Sequence, residues 1–533
     1  MSDRQPGFDH DDFTLGAAGG DEVVVVPWPL LIRDRMARKV TSSNRYRWWV
    51  LWTVLAGLFS IDVTFTVFVV ALPRVAQQFH TSEATLTWVV TGPLLSFGIA
   101  APLLGKAGDL WGHRRLYLLG LLGGVVCAAL SAAAPNATTL IAARTLEGLE
   151  GAATGAASMA LILRVFDKGD RVKAMGFWSL VGAGGPVIGV VLGAPIIQAF
   201  GWRWLFLGQI PFSLSALVLA ALILPRRAHD LRDSAQDGDP DAIEEVAAAR
   251  SRKLDWPGVA WVTVAVAAML FGLNRGPVLG WSSPAVLIAL ALSPIAMVCF
   301  VRVERRSTAP LIPLHYLRER NFAFPIGTQV FANFAYMGGF ILAPLLLEKA
   351  YGFSESKAGF LVIARPLAFS IMAPVAGYMA VRIGERSAAV AGGLAVVASM
   401  VMFGLLGHGS PIVVIESALA LSGVGLGLAS PSVAASVANA VARADLGIAS
   451  AAQQFMTQIG VVAGIQIMST VQVGGVGRSG MLGSFRHAYL VGAAVACLAV
   501  LCALFVRSAD RKSDPAMLEV AAAVGQVEEG ATR

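Results

Sequence analysis

The chain has few charged residues and few cysteines. Asp, Glu, Lys and Arg make up 14% of its 533 residues, whereas soluble domains carry about 25%. Its four cysteines lie singly in apolar stretches, without the spacing of a metal site or a disulfide framework. These absences exclude a soluble globular enzyme and a disulfide scaffold. Because 56% of the residues are hydrophobic, a disordered protein is excluded too, and an integral membrane protein remains.

Motifs for catalysis and nucleotide binding are also missing. The sequence contains no GxxxxGK[ST] loop, no HExxH or GxSxG motif and no Cys/His cluster. We therefore expect neither an enzyme nor an ATP-driven pump, and no cofactor or metal. The net charge of +7 comes from short basic clusters between apolar blocks, so we expect no nucleic-acid partner.

Fourteen apolar blocks are long enough for membrane-spanning helices, which need about 20 residues each. We number them spans 1 to 14; their limits are 47–71, 84–104, 116–134, 138–161, 175–199, 203–225, 257–275, 283–303, 321–347, 358–380, 388–407, 411–437, 445–473 and 487–507. Helices are required because an unpaired backbone group costs several kcal/mol in lipid. The expected fold class is therefore all-α integral membrane.

Lys and Arg are concentrated in alternate connections between the spans. The connection after span 2 holds Lys106, Arg114 and Arg115, whereas the connections on the other side hold few basic residues. By the positive-inside rule, the basic connections are cytoplasmic. We expect a multi-pass protein of the plasma membrane with both terminal tails, 1–46 and 511–533, in the cytoplasm.

An internal repeat relates the two halves of the chain at an offset of 272 residues. Eight residues return in order: Ile99, Ala101, Pro102, Gly105, Gly112, Arg114, Gly151 and Gly155 as Ile371, Ala373, Pro374, Gly377, Gly384, Arg386, Gly423 and Gly427. Two repeats in the same orientation are typical of transporters whose substrate site lies between the halves. We therefore predict six-helix bundles at 47–225 and 304–510, two inserted helices at 257–303 and a cytoplasmic linker at 226–256.

The connection between spans 2 and 3 carries the strongest motif. It reads Gly105-Lys-Ala-Gly-Asp109-Leu-Trp-Gly112-His-Arg114-Arg115. This resembles the signature loop of the major facilitator superfamily, G-x-x-x-D-x-x-G-x-[RK]-[RK], and implies that family's two-bundle fold. Gly105 permits close helix contact, Gly112 permits a tight turn, and Asp109 can cap a helix or pair with an Arg. We interpret the motif as a conformational latch. The second copy has Val381 in place of Asp109, so its latch should be weaker.

Span 4 contains charged residues that are costly in a bilayer. Arg144, Glu147 and Glu150 lie in a segment that resembles the superfamily's R-x-x-Q-G-x-G motif, which is implicated in proton coupling. Glu147 replaces the usual Gln and Glu150 a usual Gly. Arg144 and Glu147 are three residues apart and share a helix face. Proton coupling by these residues is one interpretation, and a purely structural Arg144–Glu147 pair is the other.

Spans 5 and 1 add two further candidates. Gly182, Gly185, Pro186 and Gly189 resemble the antiporter motif G-x-x-x-G-P-x-x-G-G, which accompanies exporters, although tight helix packing also explains them. Asp62 lies eleven residues before Pro73. In the drug:proton antiporter branch of the superfamily, which this helix resembles, the corresponding Asp lies nine residues before the Pro. The two extra residues turn a helix by about 200°. We predict that Asp62 couples protons or cations, with a structural polar contact as the alternative.

Three further segments resemble the fourteen-span drug:proton antiporter branch (EmrB/QacA-like). They are Gly201-Trp-Arg-Trp-Leu-Phe206, Leu254-Asp-Trp-Pro-Gly258 and Gly280-Trp281. The resemblance covers about residues 45–510. It implies proton-coupled export of amphipathic molecules by alternating access, and hence multidrug efflux and drug resistance, with the proton gradient as the energy source.

Polar and aromatic side chains within the spans are candidates to line a substrate cavity. They are Trp88, Gln329, Asn333, Tyr336, Arg365, Glu416, Gln454 and Gln458. Arg365 could pair with Glu416 or bind an anionic headgroup, so transport of a lipid or lipid-linked metabolite remains open. A non-transporting membrane sensor or assembly partner with the same fold is a third interpretation. We expect a monomer whose partners are protons, membrane lipids and one small amphipathic substrate.

Overall fold

The computed structural model describes residues 45–81, 83–86, 88–224, 255–307, 314–442 and 445–507. Within these ranges every regular element is helical. Nearly all of the predicted linker 226–256 and both predicted tails lie outside the described residues. All contacts reported below belong to one compact unit, Arg47–Arg533.

Fifteen α-helices run through the described residues. They are α1 (Tyr46–Gln78), α2 (Glu83–Leu86), α3 (Trp88–Trp111), α4 (His113–Ala133), α5 (Ala137–Val165), α6 (Arg171–Phe200), α7 (Arg203–Ile223), α8 (Trp256–Leu279), α9 (Pro284–Glu304), α10 (Arg320–Lys349), α11 (Glu355–Val362), α12 (Ala364–Ile383), α13 (Glu385–Gly404), α14 (Ile412–Asn439) and α15 (Leu446–Leu504). A short 3-10 helix, Leu314–Arg318, precedes α10.

The longest helix, α15, consists of two arms joined at Gly480, where φ is 71°. A straight helix would separate Met468 from Gly492 by about 36 Å at 1.5 Å per residue. Instead, a Cβ at Gly492 would lie 3.0 Å from Cε of Met468. Gln472 likewise donates a hydrogen bond to Ser484 Oγ at 3.3 Å. The chain therefore turns back at Gly480, in the gap that the sequence predicts between spans 13 and 14.

Ten of the described helices are long and apolar enough to cross a membrane. The count treats both arms of α15 as one helix. It also joins α11 to α12, and it leaves out α1, α6 and α5; in α5, Arg144, Glu147 and Glu150 lower the hydropathy. Every predicted span overlaps one of the helices, with span 10 divided between α11 and α12.

Each half has a hydrophobic core of its own. In the second half, residues of α10, α11, α13, α14 and α15 form a large cluster, in which the rings of Phe403 and Tyr489 stack with centroids 4.6 Å apart. In the first half, Phe206 of α7 packs with Leu140 of α5. The hairpin α8–α9 packs across both halves, because Val266 of α8 clusters with Ala101 of α3 and Phe455 of α15.

The sequence repeat is also a repeat of packing. Gly105 lies directly against Ala451 and Gly447 at the start of α15. Its counterpart Gly377 lies against Val172 at the start of α6, where an added Cβ would be 2.9 Å from the Val172 carbonyl oxygen. We call the α3–α15 contact the first seam and the α12–α6 contact the second seam. Both seams join the two halves at one end of the helices, which we call the latch end.

The turn beside each seam has the same conformation. Gly112 has φ 96° and Gly384 has φ 85°, and each precedes a helix that begins at the next residue. Side chains rarely adopt positive φ, because Cβ then approaches the following carbonyl oxygen. Glycine is therefore required at both copies.

Candidate functional site

A cavity of about 260 Å³ lies between helices of the two halves. Its wall is formed by Leu58, Ile61, Asp62, Pro93, Leu94, Phe97, Glu147, Gly148, Gly151, Thr154, Gly155, Trp178 and Gly182 of the first half, and by Gln454, Thr457 and Gln458 of α15. Most of these residues are apolar. The first half contributes the two carboxylates and the second half contributes two amides, so the cavity suits a molecule with a large apolar part and few polar groups.

The Glu147 carboxylate is paired with the most deeply buried cation of the first half. Arg144 Nη1 donates to Glu147 Oε2 at 2.6 Å, and the Arg144 side chain is fully buried. The guanidinium also lies over the Phe206 ring, 5.6 Å from its centroid, and Nε donates to the Val89 carbonyl at 3.4 Å. Three-residue spacing on α5 produces this pair, as expected for one helix face. Glu147 therefore sits between a fixed cation and the cavity.

Asp62 lies on the cavity wall where α1 and α6 are in close contact. A Cβ at Gly185 would be only 2.9 Å from Asp62 Cβ. Gly185, from the predicted antiporter motif, thus allows α6 to approach α1 at this level. The structure brings Asp62 and Glu147 to the same cavity from helices that are far apart in sequence.

Glu150 occupies a different place from Glu147. Its carboxyl group packs against Gly123 and Gly124 of α4, and it does not line the cavity. Thr154 Oγ1 donates to its Oε1 at 3.4 Å, whereas Oε2 is buried and has no hydrogen-bond partner among the residues that the structure describes. Glu150 is six residues from Arg144, which rotates it by about 240° around α5 and away from the face that Arg144 and Glu147 share. Arg144 therefore bonds one of the two carboxylates that the sequence places near it.

The Asp109 carboxylate joins the halves at the first seam. Its Oδ1 accepts from the Gly447 backbone N–H at 3.1 Å, and its Oδ2 accepts from that of Ile448 at 2.9 Å. His113 Nε2 lies 3.0 Å and Arg164 Nη2 3.6 Å from Oδ1. The sequence leaves open whether Asp109 caps a helix or pairs with an Arg, and the structure shows both. An acid at the start of α15 also interacts favourably with the helix dipole.

The basic residues of the same motif lie further out. Arg114 Nη2 donates to the Ala221 carbonyl at the end of α7, at 2.7 Å. Arg115 is exposed. The motif therefore ties α3 and α4 to α7 within the first half and, through Asp109, to α15 of the second half.

The second seam uses a cation instead of an acid. Arg171 Nη1 donates to the Ala438 carbonyl at 3.0 Å and to Asn439 Oδ1 at 2.9 Å. These acceptors lie at the end of α14, where the helix dipole favours positive charge. Val381, which stands in the place of Asp109, can form no such bond. Sequence reasoning did not identify Arg171, because its acceptors are 267 and 268 residues away.

Asp170 lies next to the second seam, outside the membrane-spanning segments. Partial burial raises its pKa, but the hydrogen bond and charge of Lys173, followed by those of Arg47, outweigh this effect and leave the pKa below its usual range. Lys173 Nζ donates to Oδ1 at 2.7 Å and Arg47 Nη1 to Oδ2 at 3.0 Å. Asp170 thereby links α1 to the start of α6.

The glycines of the antiporter-like motif lie in three different environments. Gly182 lines the cavity and has open space where a side chain would be, since an added Cβ would meet nothing within 4 Å. Gly185 faces Asp62. Gly189 lines a second groove between α1, α6 and α7. The side chain of Pro186 lies outside the described residues.

Two of the eight predicted cavity residues, Gln454 and Gln458, line the cavity. Trp88 instead lies under the Arg275 guanidinium, 4.1 Å from it. Gln329 and Asn333 are buried in α10, where Asn333 Nδ2 donates to the Gln329 carbonyl. Sequence reasoning missed Phe97 and Trp178, although the 272-residue repeat relates Phe97 to Phe369 and could have singled it out.

Arg365 is enclosed within the second half. Nη1 donates to the Tyr336 carbonyl at 2.9 Å, and the guanidinium lies over the rings of Tyr336 and Phe403. Its Nε and Nη2 have no hydrogen-bond partner among the described residues, and Glu416 is half-buried elsewhere on α14. Of the two interpretations that the sequence leaves open for Arg365, the pair with Glu416 is therefore wrong. Sequence position gave the depth of both residues but not the direction of their side chains.

Known proteins are similar to this chain in sequence. Residues 54–464 and 326–524 match the family described as Major Facilitator Superfamily. The "Multidrug resistance protein Stp" of Mycobacterium tuberculosis (strain CDC 1551 / Oshkosh) is 28% identical over 420 residues, which are 78% of this chain and 74% of Stp. The "Puromycin resistance protein pur8" of Streptomyces alboniger is 30% identical over 438 residues, 80% of this chain and 82% of that protein.

A solved structure shares the fold. The crystal structure of the human organic anion transporter MFSD10 (TETRAN) matches with a TM-score of 0.60 over 86% of this chain and 99% of that chain. The identity is 17%, so this likeness concerns the fold alone.

Proposed function

Because the chain belongs to the Major Facilitator Superfamily, we propose that it exports amphipathic small molecules across the plasma membrane in exchange for protons. Members of this family are carriers, so the chain is a multi-pass membrane transporter and not an enzyme. The names of two relatives refer to multidrug resistance and puromycin resistance. Drug-like molecules are therefore the substrate class that we propose.

The proposed architecture is that of the fourteen-span, EmrB/QacA-like branch. Two six-helix bundles flank the inserted hairpin, both termini are cytoplasmic, and the latch end faces the cytoplasm. This orientation is supported by the basic residues at the latch end, among them Arg114, Arg115 and Arg171. The protein acts as a monomer and draws on the proton gradient, with no cofactor.

The observation that carries the proposal is the presence of Asp62 and Glu147 on one cavity wall. A cationic amphipathic molecule can place its charge near these carboxylates and its apolar part against Leu58, Ile61 and Phe97. Protonation would remove the negative charges and release such a substrate. Substrate and protons thus compete for the same groups, which is the requirement for exchange.

Glu147 also links protonation to conformation. When it is neutral, Arg144 loses its charged partner while fully buried, and breaking a buried pair costs about 3–5 kcal/mol. The bundle can lower that cost by opening the site to water at the other end. A membrane potential of about 100 mV supplies roughly 2.3 kcal/mol per charge moved, which corresponds to a roughly 40-fold concentration ratio.

Transport by purified protein in liposomes tests this proposal. We expect an imposed pH gradient to drive uphill movement of a cationic dye such as ethidium. Glu147→Gln should abolish uphill movement but keep downhill exchange, because its site can no longer take up a proton. Asp62→Asn should weaken dye binding at least tenfold. Uphill transport that survives in both variants would overturn the proposal.

The same liposomes separate the alternatives. Movement of labelled lipid without dye flux would indicate a lipid transporter, and no flux of either would indicate a sensor. The charge that suggested a lipid headgroup site, Arg365, is enclosed in the second half and does not line the cavity. For this reason we propose dye-like substrates and not lipids.

A further inference from the structure

A second groove runs along the outside of the first half. It has a volume of about 190 Å³ and lies between α1, α6 and α7. Along α6 it follows Ile188 and Gly189, Leu192 and Gly193, and then Ile196. These positions span eight residues, or about 12 Å of helix. The groove is therefore long, narrow and smaller than the roughly 300–1,000 Å³ of a pocket for a drug-sized molecule.

The rim of this groove faces the bilayer. Three large apolar side chains border it and are more than half exposed: Leu192 at 58%, Trp204 at 53% and Phe212 at 65%. Helix α7 is one of the helices long and apolar enough to cross a membrane. In a membrane protein, apolar side chains exposed at this depth contact lipid. The molecule that reaches the groove thus comes from the hydrocarbon region.

The hydrophilic residues on the groove wall are already engaged. Ser60 Oγ donates to the Gly57 carbonyl at 2.7 Å and accepts from Ser213 Oγ at 3.1 Å. Gln209 is buried and also has an interaction partner. The groove consequently offers shape and apolar contact without a site for a headgroup. A single hydrocarbon chain satisfies both conditions.

We propose that this groove binds one acyl chain of a bilayer phospholipid as a structural lipid. The chain would contact α1 through Phe59 and Val63, on a face beside that of Asp62, which lines the central cavity. It would also fill the notch that Gly189 and Gly193 leave along α6. The lipid supports the α1–α6 contact from outside the bundle and is not the transported molecule.

Two glycines provide a matched test. Gly208 lines the groove, Gly182 lines the central cavity, and an added Cβ would meet nothing within 4 Å at either position. Leucine at each site therefore projects into a different space. Gly208→Leu should displace the acyl chain and keep dye transport within twofold of wild type. Gly182→Leu should block dye transport and leave the acyl chain in place.

The measurement is photolabelling of the full chain in vesicles of phosphatidylethanolamine and phosphatidylglycerol, doped with a phospholipid that carries a diazirine on one acyl chain. We expect labelling of residues 188–212 that unlabelled phospholipid competes away. Gly208→Leu should reduce this labelling at least fivefold, and Gly182→Leu should leave it unchanged.

The exposed face of α9 provides the reference for ordinary lipid contact, because Ile288 and Ile295 are 66% and 58% exposed there. Labelling of 188–212 that competes no better than labelling of α9 would overturn the proposal, whether or not Gly208→Leu folds. Unchanged labelling in a folded Gly208→Leu protein would also overturn it. Failure of dye transport in the wild type would affect only the proposed function, since the lipid site is measured without transport.

Discussion

The two seams between the halves share a close glycine contact and a turn of the same backbone conformation, but they differ in the charged residue that joins the halves. At the first seam, an acid of the first half, Asp109, binds the start of α15. At the second seam, a base, Arg171, binds the end of α14, and Val381 stands where the acid would be. Both use a charge at a helix end, where the dipole makes it effective. Duplication of a helix arrangement thus fixes where the halves meet, whereas single side chains determine how strongly each seam closes.

The largest expected effect follows loss of Asp109. Asp109→Ala leaves the N–H groups of Gly447 and Ile448 without their acceptor, and hydrogen bonds to charged groups contribute about 1.5–3 kcal/mol each. We expect the dye-transport rate in liposomes to fall at least tenfold. The matched variant at the second seam, Val381→Ala, should change the rate less than twofold. Equal losses in the two variants would contradict the difference between the seams.

Arg171 should have the next largest effect. Arg171→Ala removes the bonds to Ala438 and Asn439, and we expect a three- to tenfold loss of transport. Arg171→Lys keeps the positive charge near the end of α14 and should recover part of the rate. Crosslinking between cysteines introduced into α6 and α14 reports the closure of this seam. Unchanged crosslinking in Arg171→Ala would show that packing alone holds the second seam.

The turn glycines should be equivalent, because their backbones are. Gly112→Ala and Gly384→Ala each place a side chain at positive φ with an extended ψ, which costs about 1–3 kcal/mol. Both variants should therefore lower the melting temperature in detergent by similar amounts. A large difference between the two changes in melting temperature would mean that the two copies of the turn contribute unequally to stability.

The sequence predicted the repeated features well and the contacts between halves poorly. The spans follow from apolar block length, and the Arg144–Glu147 bond follows from three-residue spacing on one helix. The membership in the superfamily that the signature loop implies is confirmed. The partners of Asp109 were beyond prediction because Gly447 and Ile448 lie 338 and 339 residues away.

The sequence also could not predict in which direction side chains inside the helix bundle point. Glu147 and Glu150 have the same depth and chemistry, yet one lines the cavity and the other packs against α4. A pair with Glu416 was one of the two interpretations of Arg365, because both residues are ionisable and intramembrane. Their orientation depends on how each helix is rotated against its neighbours, which a single sequence does not specify. The rings of Tyr336 and Phe403 take the place of the predicted carboxylate.

The smallest expected effect concerns Asp170, beside the second seam. Because its pKa is lower in the folded protein than its usual value, it stabilises the fold above the usual Asp pKa of about 3.9. That contribution is lost as the pH falls through the lowered folded-state pKa. Asp170→Asn should therefore lower the melting temperature slightly at pH 7, because a partly exposed ion pair contributes less than about 1 kcal/mol to stability. The difference from wild type should vanish in acid below both pKa values. A difference that persists or grows in acid would contradict this sign.

The most direct test of the account is simultaneous measurement of proton and dye movement in liposomes containing the wild-type protein. A pH-sensitive fluorophore trapped inside reports protons while an outward ethidium gradient is imposed without a pH gradient. The account predicts that protons enter as the dye leaves, and that Glu147→Gln lets the dye leave without proton entry. Dye efflux by the wild-type protein with no opposing proton movement would contradict the account.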